Sequence, residues 1–214
     1  MCNEYARRTT PEQLRAGWGV TDAKLLFPEG ASNMPELDSI RITDMSLILR
    51  ASSQEAGAAE AVTRRWSWPG AHGKPVYNFR SDGREFENKV GSGRCLIPAD
   101  GFYEYTDAPD ETGPADLFGA VAAKPAKKQK AKWLFSIPGL DWFGIAGLWR
   151  TDPAVGEAFT MLTCEPGPDI APYHDRQIVL LTPPDYLRWL SGEMPAADLC
   201  RPLPAGTLAV KRVR

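Results

Sequence analysis

The sequence is poor in the residues from which metal sites and disulfide frameworks are built. Its four cysteines, Cys2, Cys95, Cys164 and Cys200, are far apart, no CxxC pair occurs, and there are only two histidines in 214 residues. A structural zinc site needs four such ligands, usually at short spacings. We therefore expect neither a metal nor any other cofactor.

Long apolar runs and a large charge excess are also missing. No stretch approaches the ~18 apolar residues that cross a bilayer, and the N-terminus carries Glu4, Arg7 and Arg8 with no apolar run behind them. This predicts no signal peptide, no membrane partner, and a cytoplasmic protein with reduced thiols. A formal net charge of -2 gives no global field for nucleic acid, so DNA contacts must come from a local patch.

What the chain does contain is typical of a soluble globular protein, with 43% hydrophobic and 24% charged residues. Its length predicts one domain spanning residues 1–214, and we expect a monomer. Between Thr106 and Lys132 the composition is first acidic and then lysine-rich, which we interpret as a partly disordered surface insertion. Its lysines could contact a phosphate backbone, but such charge runs are usually only solvated.

Helix signals are few. Thr10 followed by Pro11 and Gln13 predicts a capped helix start, and the prolines and Asp185 after Thr182 predict a second helix that ends at Gly192. Glycines keep the first helix short. The Ala/Gly-rich span 51–61 is also compatible with a helix.

Strand signals are frequent, because aromatic and β-branched residues recur between turn residues. They predict strands at Ser46–Arg50, Pro75–Arg80, Cys95–Ala99, Phe102–Tyr105, Trp133–Ile137, Phe143–Trp149, Ala158–Thr163 and Ile178–Leu181. The fold class this favours is α+β, a β-rich domain whose sheets curl around a core.

The most distinctive feature is a cysteine at position 2. Removal of Met1 would give Cys2 a free α-amine beside its thiol, and both groups titrate near pH 8. The amine can condense with an aldehyde to an imine, and the thiol can then close a five-membered thiazolidine ring. A cysteine at this position can also be coincidental.

Imine formation needs a proton donor and a group that holds the substrate oxygen. Glu104 lies between Tyr103 and Tyr105, where desolvation would raise its carboxyl pKa toward neutrality. His174 precedes an apolar strand and could shuttle a proton, whereas His72 lies in a Gly-flanked turn without an evident role. An exposed strand glutamate and an idle loop histidine are equally compatible with the sequence.

Candidate substrate contacts lie on a nearby strand. Asn78 and Arg80 project to the same side, with an amide suited to a sugar or carbonyl oxygen and a guanidinium suited to phosphate. Trp66 and Trp68 could stack on unpaired bases, although core tryptophans are the commoner case.

Taken in order, these fragments resemble the SOS response-associated peptidase (SRAP) family, whose members shield abasic sites. The resemblance covers nearly the whole chain. It depends on Met1-Cys2, Trp66 with Pro69, Asn78 to Arg80, the block Arg94 to Tyr105, the strand Gly144 to Trp149, and Leu162-Thr163 leading to His174 and the Val179 to Pro183 stretch.

The resemblance implies a protein that binds single-stranded DNA and captures the ring-opened aldehyde of an abasic site as a thiazolidine on Cys2. It also implies that Asn78, Glu104 and His174 occupy the active-site positions. Arg80, Arg176 and the tryptophan region, Trp66 with Trp68, fall where the family contacts DNA. Single-stranded DNA that contains abasic sites is thus the expected partner.

Three features depart from the family pattern. Many members carry Gly and Arg after Cys2, whereas this chain has Asn3 and Glu4, which removes a possible phosphate contact and adds a negative charge. Ser67 stands where a glycine is often found. The insertion between Thr106 and Lys132 has no clear family counterpart.

Two other functions fit the same residues. The first is a thiol peptidase with Cys2 as nucleophile and His174 as base, oriented by Asn78 or Glu104 and acting on other chains or only on its own Met1. The second is a module that binds single-stranded DNA without a covalent bond. Substitution of Cys2 separates the second function from covalent capture.

Overall fold

Strands dominate the computed structural model, which describes residues 2–31, 34–107 and 129–214. The strands are β1 Glu4–Arg7, β2 Leu25–Leu26, β3 Leu37–Arg41, β4 Met45–Ala51, β5 Ala59–Trp66, β6 Trp68–Pro69, β7 Pro75–Val76, β8 Asn78–Arg80, β9 Ser92–Ala99, β10 Gly101–Thr106, β11 Ala131–Ser136, β12 Phe143–Asp152, β13 Gly156–Cys164, β14 Gln177–Ile178, β15 Leu180–Leu181 and β16 Ala209–Arg212. The α-helices are α1 Pro11–Trp18, α2 Tyr186–Ser191 and α3 Ala196–Leu199, with 3₁₀ turns at Gly19–Thr21, Ala71–Gly73 and Pro183–Asp185.

One sheet is antiparallel and carries the N-terminal strand in its interior. Its order is β16-β11-β10-β1-β3. Tyr5 of β1 is opposite Phe102 of β10 on one side and Ile40 of β3 on the other. The residues just before β1 are therefore carried along β10 toward Glu104.

The second sheet curls into a barrel-like ring. Its order is β14-β13-β12-β9-β4-β5-β2, and a parallel pairing of β13 with β5 joins two non-neighbouring strands of that path. Strand β8 pairs in parallel with β13, so that Asn78 is opposite Met161. The predicted β-rich α+β class with curled sheets and few helices is confirmed.

Side-chain alternation divides the core into two clusters. Along β9, Cys95 and Ile97 pack with Phe159 in one cluster, while Leu96 between them packs with Trp189 in the other. This follows from the two-residue period of a strand. The first cluster extends to β1 and includes Cys2 and Tyr5, whereas the second is covered by α1 and α2.

The two helix starts that the sequence predicts are confirmed. The hydroxyl of Thr10 accepts a hydrogen bond from the Gln13 amide at 3.2 Å, and the Gln13 side chain accepts one from the Thr10 amide at 3.0 Å. The second helix follows the prolines after Thr182 and ends at Gly192, whose φ of 76° suits glycine. A helix across 51–61 is wrong, because this span forms a turn that leads into β5.

The predicted strands all occur, most with longer bounds, but two of them divide. Pro75–Arg80 becomes β7 and β8, which belong to different sheets, and Ile178–Leu181 is part of β14 and β15. Residues 108–128 of the predicted insertion lie outside the described residues, and its described ends lead out of β10 and into β11. No helix within the described ranges is long and apolar enough to cross a membrane.

Candidate active site

Cys2 lies at the junction of the two sheets, beneath the surface. Its side chain is only 1% exposed, and its Sγ donates a hydrogen bond to the carbonyl oxygen of Glu4 at 3.3 Å. Burial, followed by the nearby charge of Glu104, raises the pKa of the Cys2 thiol well above its usual value. The thiol is therefore protonated at neutral pH, a state that resists oxidation.

Glu104 projects from β10 beside Cys2 and is 2% exposed. Burial raises the pKa of the Glu104 carboxyl to about 7, a nearby Asp175 charge adds to the rise, and a hydrogen bond from the backbone amide of Cys2 opposes it. A carboxyl group with such a pKa can both donate and accept a proton near neutral pH. The nitrogen of Cys2 is the atom with which the Glu104 carboxyl group can exchange this proton.

Asn78 fixes the other end of residue 2. Its side-chain Nδ2 donates a hydrogen bond to the Cys2 carbonyl oxygen at 2.8 Å. That bond determines the amide orientation, so Oδ1 points away from the carbonyl. Oδ1 is buried and has no hydrogen-bond partner among the described residues, which leaves an acceptor for a substrate hydroxyl.

His174 is half-buried, and two contacts of its ring nitrogen Nδ1 favour opposite protonation states of that atom. The Arg176 amide donates to Nδ1 at 3.0 Å, which requires a lone pair, whereas Asp175 Oδ1 lies 2.8 Å from the same atom, which favours a proton. Burial lowers the pKa of His174, and the Asp175 side chain is 90% exposed. The neutral ring with its proton on Nε2 is therefore favoured.

An open cavity of about 640 Å³ gives access to this group. Glu104 and His174 line it together, as do the residues that follow Cys2. The full lining is Asn3, Glu4, Arg41, Ile42, Glu104, Tyr105, Lys130 and His174. Cys2 itself lies behind these lining residues. Asn78 binds its carbonyl oxygen, and Glu104 accepts a hydrogen bond from its backbone amide.

Comparison with known proteins assigns the chain to a family. The family model described as SOS response associated peptidase (SRAP) matches residues 1–214. The chain belongs to the SRAP family. A search among curated proteins finds no match.

Solved structures share the SRAP chain's architecture at low sequence identity. A protein from Bordetella bronchiseptica is 22% identical with a TM-score of 0.69, and 100% of each chain is covered. One from Bacteroides thetaiotaomicron is 14% identical with a TM-score of 0.67, covering 100% of this chain and 92% of that one. A phage-related protein from Bordetella bronchiseptica is 20% identical with a TM-score of 0.67, covering 100% and 94%. These likenesses show the fold alone.

The two tryptophans proposed for DNA stacking belong to the core of this SRAP chain. Trp66 is 0% exposed, stacks on Phe159 and donates from its indole nitrogen to the Tyr77 carbonyl oxygen at 3.0 Å. Trp68 is 7% exposed and lies under the Arg150 guanidinium. The stacking prediction is therefore corrected for Trp66, whose ring offers no open face to a base, whereas Trp68 lines a second cavity and its contact with DNA stays a prediction.

The two arginines that are predicted to contact DNA differ in availability. Arg80 is exposed at the end of β8. The Arg176 side chain is 13% exposed, and its Nη2 donates to Asp82 at 2.6 Å and to the Thr163 carbonyl oxygen at 3.0 Å. In this structure Arg176 holds the His174 loop against β13, and its contact with DNA stays a prediction.

The sequence did not reveal how Glu4 is used in this SRAP chain. Glu4 is 3% exposed; its carboxylate accepts hydrogen bonds from Lys132 at 2.8 Å, from Ser39 at 2.6 Å and from the Tyr105 hydroxyl. Although burial opposes it, these partners lower the pKa of Glu4. The negative charge inferred at this position is thus neutralised rather than presented to DNA. The only local signal was the placement of Glu4 two residues after Cys2.

The part of the chain that the structure describes has no evident set of side chains that could bind a metal ion. No group of three or more His, Cys, Asp or Glu side chains there could hold a metal ion. The four cysteines Cys2, Cys95, Cys164 and Cys200 are all free thiols.

Proposed function

We propose that this SRAP protein, after removal of Met1, binds single-stranded DNA and captures abasic sites covalently as a thiazolidine on Cys2. The observation that carries the proposal is the pair of contacts at residue 2. The nitrogen that would become the α-amine already donates to Glu104, and the carbonyl is fixed by Asn78. A reactive N-terminus needs such positioning.

The chemistry follows in two steps. The α-amine adds to the ring-opened aldehyde to give a carbinolamine, and Glu104 donates a proton to the departing hydroxyl group, which leaves as water. The Cys2 thiol then adds across the carbon–nitrogen double bond, so that sulfur bonds to carbon and the proton passes to nitrogen. One water is lost in total, and no oxidant is needed.

Each neighbouring residue has a proposed task. Asn78 supplies an acceptor for a sugar hydroxyl through Oδ1, and His174, neutral with a donor at Nε2, assists ring opening. Loss of the aldehyde prevents β-elimination of the 3′ phosphate, because that reaction starts from the open carbonyl form. Capture would thereby protect the strand.

The direct test is denaturing electrophoresis after incubation with a single-stranded oligonucleotide that carries one abasic site. We expect a shifted band that survives denaturation and is abolished by Cys2→Ala. A matched oligonucleotide with a tetrahydrofuran analogue, which cannot open to an aldehyde, should give no band. Absence of the band with Met1-free protein would refute covalent capture.

A second candidate function is a thiol peptidase, which the family description favours. In this scheme Cys2 attacks a peptide carbonyl and His174 acts as base. The raised thiol pKa argues against a preformed thiolate. Turnover of unrelated peptides that is abolished by Cys2→Ala would support this function, whereas release of Met1 alone would limit it to self-processing.

A further inference from the structure

Three cationic side chains surround the mouth of the cavity and play no part in the chemistry above. Arg41 ends β3 and Lys130 precedes β11, and both line the cavity. Arg214 follows β16, and its guanidinium carbon lies 5.8 Å from the ring centre of Tyr105, another lining residue. We call Arg41, Lys130 and Arg214 the basic rim.

Main-chain bonds hold the C-terminal end of the rim in place. The Arg214 carbonyl oxygen accepts from the Lys132 amide at 3.1 Å, and Val213 donates to the Lys132 carbonyl oxygen at 2.8 Å. The Arg214 side chain in turn donates through Nε to the Lys130 carbonyl oxygen at 3.2 Å. The last residues are therefore fixed beside Lys130 rather than trailing into solvent.

The rim cations are available to a ligand. The Arg41 side chain is 71% exposed and lies 3.8 Å from Glu4, at the outer limit of an ion pair. The Lys130 side chain is 60% exposed and lies 3.5 Å from Asp107, itself 92% exposed. Because both cations are largely exposed and solvent screens their ion pairs, a phosphate can compete for Arg41 and Lys130.

The half-buried Lys132, next to the rim, is held in a closer ion pair. Lys132 is 19% exposed and its ammonium lies 2.8 Å from the Glu4 carboxylate, which is 4% exposed. This pair neutralises the acidic residue that lies between the rim and Cys2. The rim's positive charge is thus not cancelled by Glu4, although the family's usual arginine is absent at this position.

We propose that the basic rim binds the phosphates that flank the reacting sugar, so that the single-stranded DNA backbone enters and leaves along Arg41, Lys130 and Arg214. This rests on the proposed function. An abasic nucleotide has an uncharged sugar between two anionic phosphodiesters. A cationic mouth above a polar floor of Asn3, Glu104 and His174 complements that charge pattern.

Salt dependence of binding tests the rim, because each neutralised phosphate releases counterions. Binding of an unmodified oligonucleotide and of its tetrahydrofuran analogue is measured by fluorescence anisotropy at several salt concentrations. We expect the triple variant Arg41→Gln, Lys130→Gln and Arg214→Gln to bind more weakly, with the slope of log K against log salt reduced by about 2 (~0.7 per lost contact).

A matched control variant replaces three cations of similar exposure that do not line the cavity. Lys24, Lys89 and Arg188 have side chains that are 71%, 67% and 60% exposed. Changing all three to Gln gives the same net charge as the rim variant, yet the slope should stay near that of the parent protein. Equal slopes for the rim and control variants would overturn the proposal.

Two further results separate the rim from the proposed function. The rim variant should reach the parent protein's yield of Cys2 adduct only at a higher DNA concentration. If the parent protein forms no adduct but the rim variant loses salt dependence, capture fails while the rim stands as a DNA-binding surface. Rim-dependent binding of a polyglutamate peptide without DNA binding would overturn the assignment to DNA. Should the triple variant not fold, Arg41→Gln alone must lower the slope by about 0.7.

Discussion

Glu4 and Glu104 are two carboxyl groups at one cavity with nearly equal burial and opposite acid–base behaviour. Their exposed fractions are 3% and 2%. The pKa of Glu4 is lowered despite burial, because Lys132, Ser39 and Tyr105 donate to its carboxylate. The pKa of Glu104 is raised to about 7, because burial outweighs its hydrogen bonds.

Hydrogen-bond and charge partners, rather than depth of burial, therefore decide which carboxyl group keeps its charge and which has a pKa near neutral pH. Glu4 has a cation within 2.8 Å and keeps its charge, so it can anchor β1. Glu104 faces the nitrogen of Cys2 and can change its protonation state near neutral pH. Strand β1 carries the anchor Glu4, whereas Glu104 projects from the neighbouring strand β10.

Removing the carboxyl chemistry of Glu104 should give the largest effect. Glu104→Gln keeps the shape and should leave DNA binding intact, while the rate of adduct formation falls by about 10²–10⁴-fold through loss of general acid catalysis. Single-turnover kinetics at saturating abasic oligonucleotide measure this. An unchanged rate would remove Glu104 from the mechanism.

Breaking the ion pair between Glu4 and Lys132 should instead lower the stability of the fold. Lys132→Met leaves a buried carboxylate without its cation and should lower the free energy of unfolding by about 3 kcal/mol. Urea unfolding measures the loss. The double variant Glu4→Gln with Lys132→Met should recover part of it, and a double variant less stable than Lys132→Met would contradict the pairing.

The pH dependence of stability should separate the two groups. The lowered pKa of Glu4 gives stability that is present above the unfolded-state value and lost as pH falls through the folded one. The raised pKa of Glu104 has the reverse sign, so stability declines as pH rises from about 4.5 to about 7. Glu104→Gln should therefore be the more stable protein at pH 8, by about 1–3 kcal/mol, and equal stability there would contradict the raised pKa.

A change remote from both carboxyl groups serves as a control and should have the smallest effect. Ser67 has a φ of 83° and is 1% exposed, a backbone conformation that glycine adopts more easily. Ser67→Gly should raise the free energy of unfolding by about 0.5–1 kcal/mol. Its pH profile of stability should run parallel to that of the parent protein, and a changed profile would show that the site is coupled to this turn.

Local patterns in the sequence predicted much of the fold but missed β1. The capping box at Thr10 and the strand at Cys95–Ala99 depend on neighbours within a few residues, so the sequence shows them directly. Strand β1 reads as charged because it contains Glu4 and Arg7, both of which are 3% exposed. Their burial depends on Lys132, 128 residues away, and on the carbonyl oxygen of Pro35.

In the candidate site, too, the sequence predicted local features and missed those that depend on distant contacts. The sequence named Cys2, Asn78, Glu104 and His174, and the aromatic neighbours of Glu104 predicted the direction of its pKa. Stacking by Trp66 was misjudged because a core indole and a DNA-facing indole look alike in sequence. The basic rim escaped notice because Arg41, Lys130 and Arg214 meet only through sheet pairing.

In the proposed reaction, the nitrogen and the sulfur of residue 2 both react with one aldehyde inside this cavity. Intact mass spectrometry of the protein after incubation with a single-stranded abasic oligonucleotide tests it most directly. We expect one covalent species at the mass of the Met1-free protein plus the oligonucleotide minus one water, and we expect it to be absent for Cys2→Ala. An adduct that retains Met1, or that forms equally with Cys2→Ala, would contradict it.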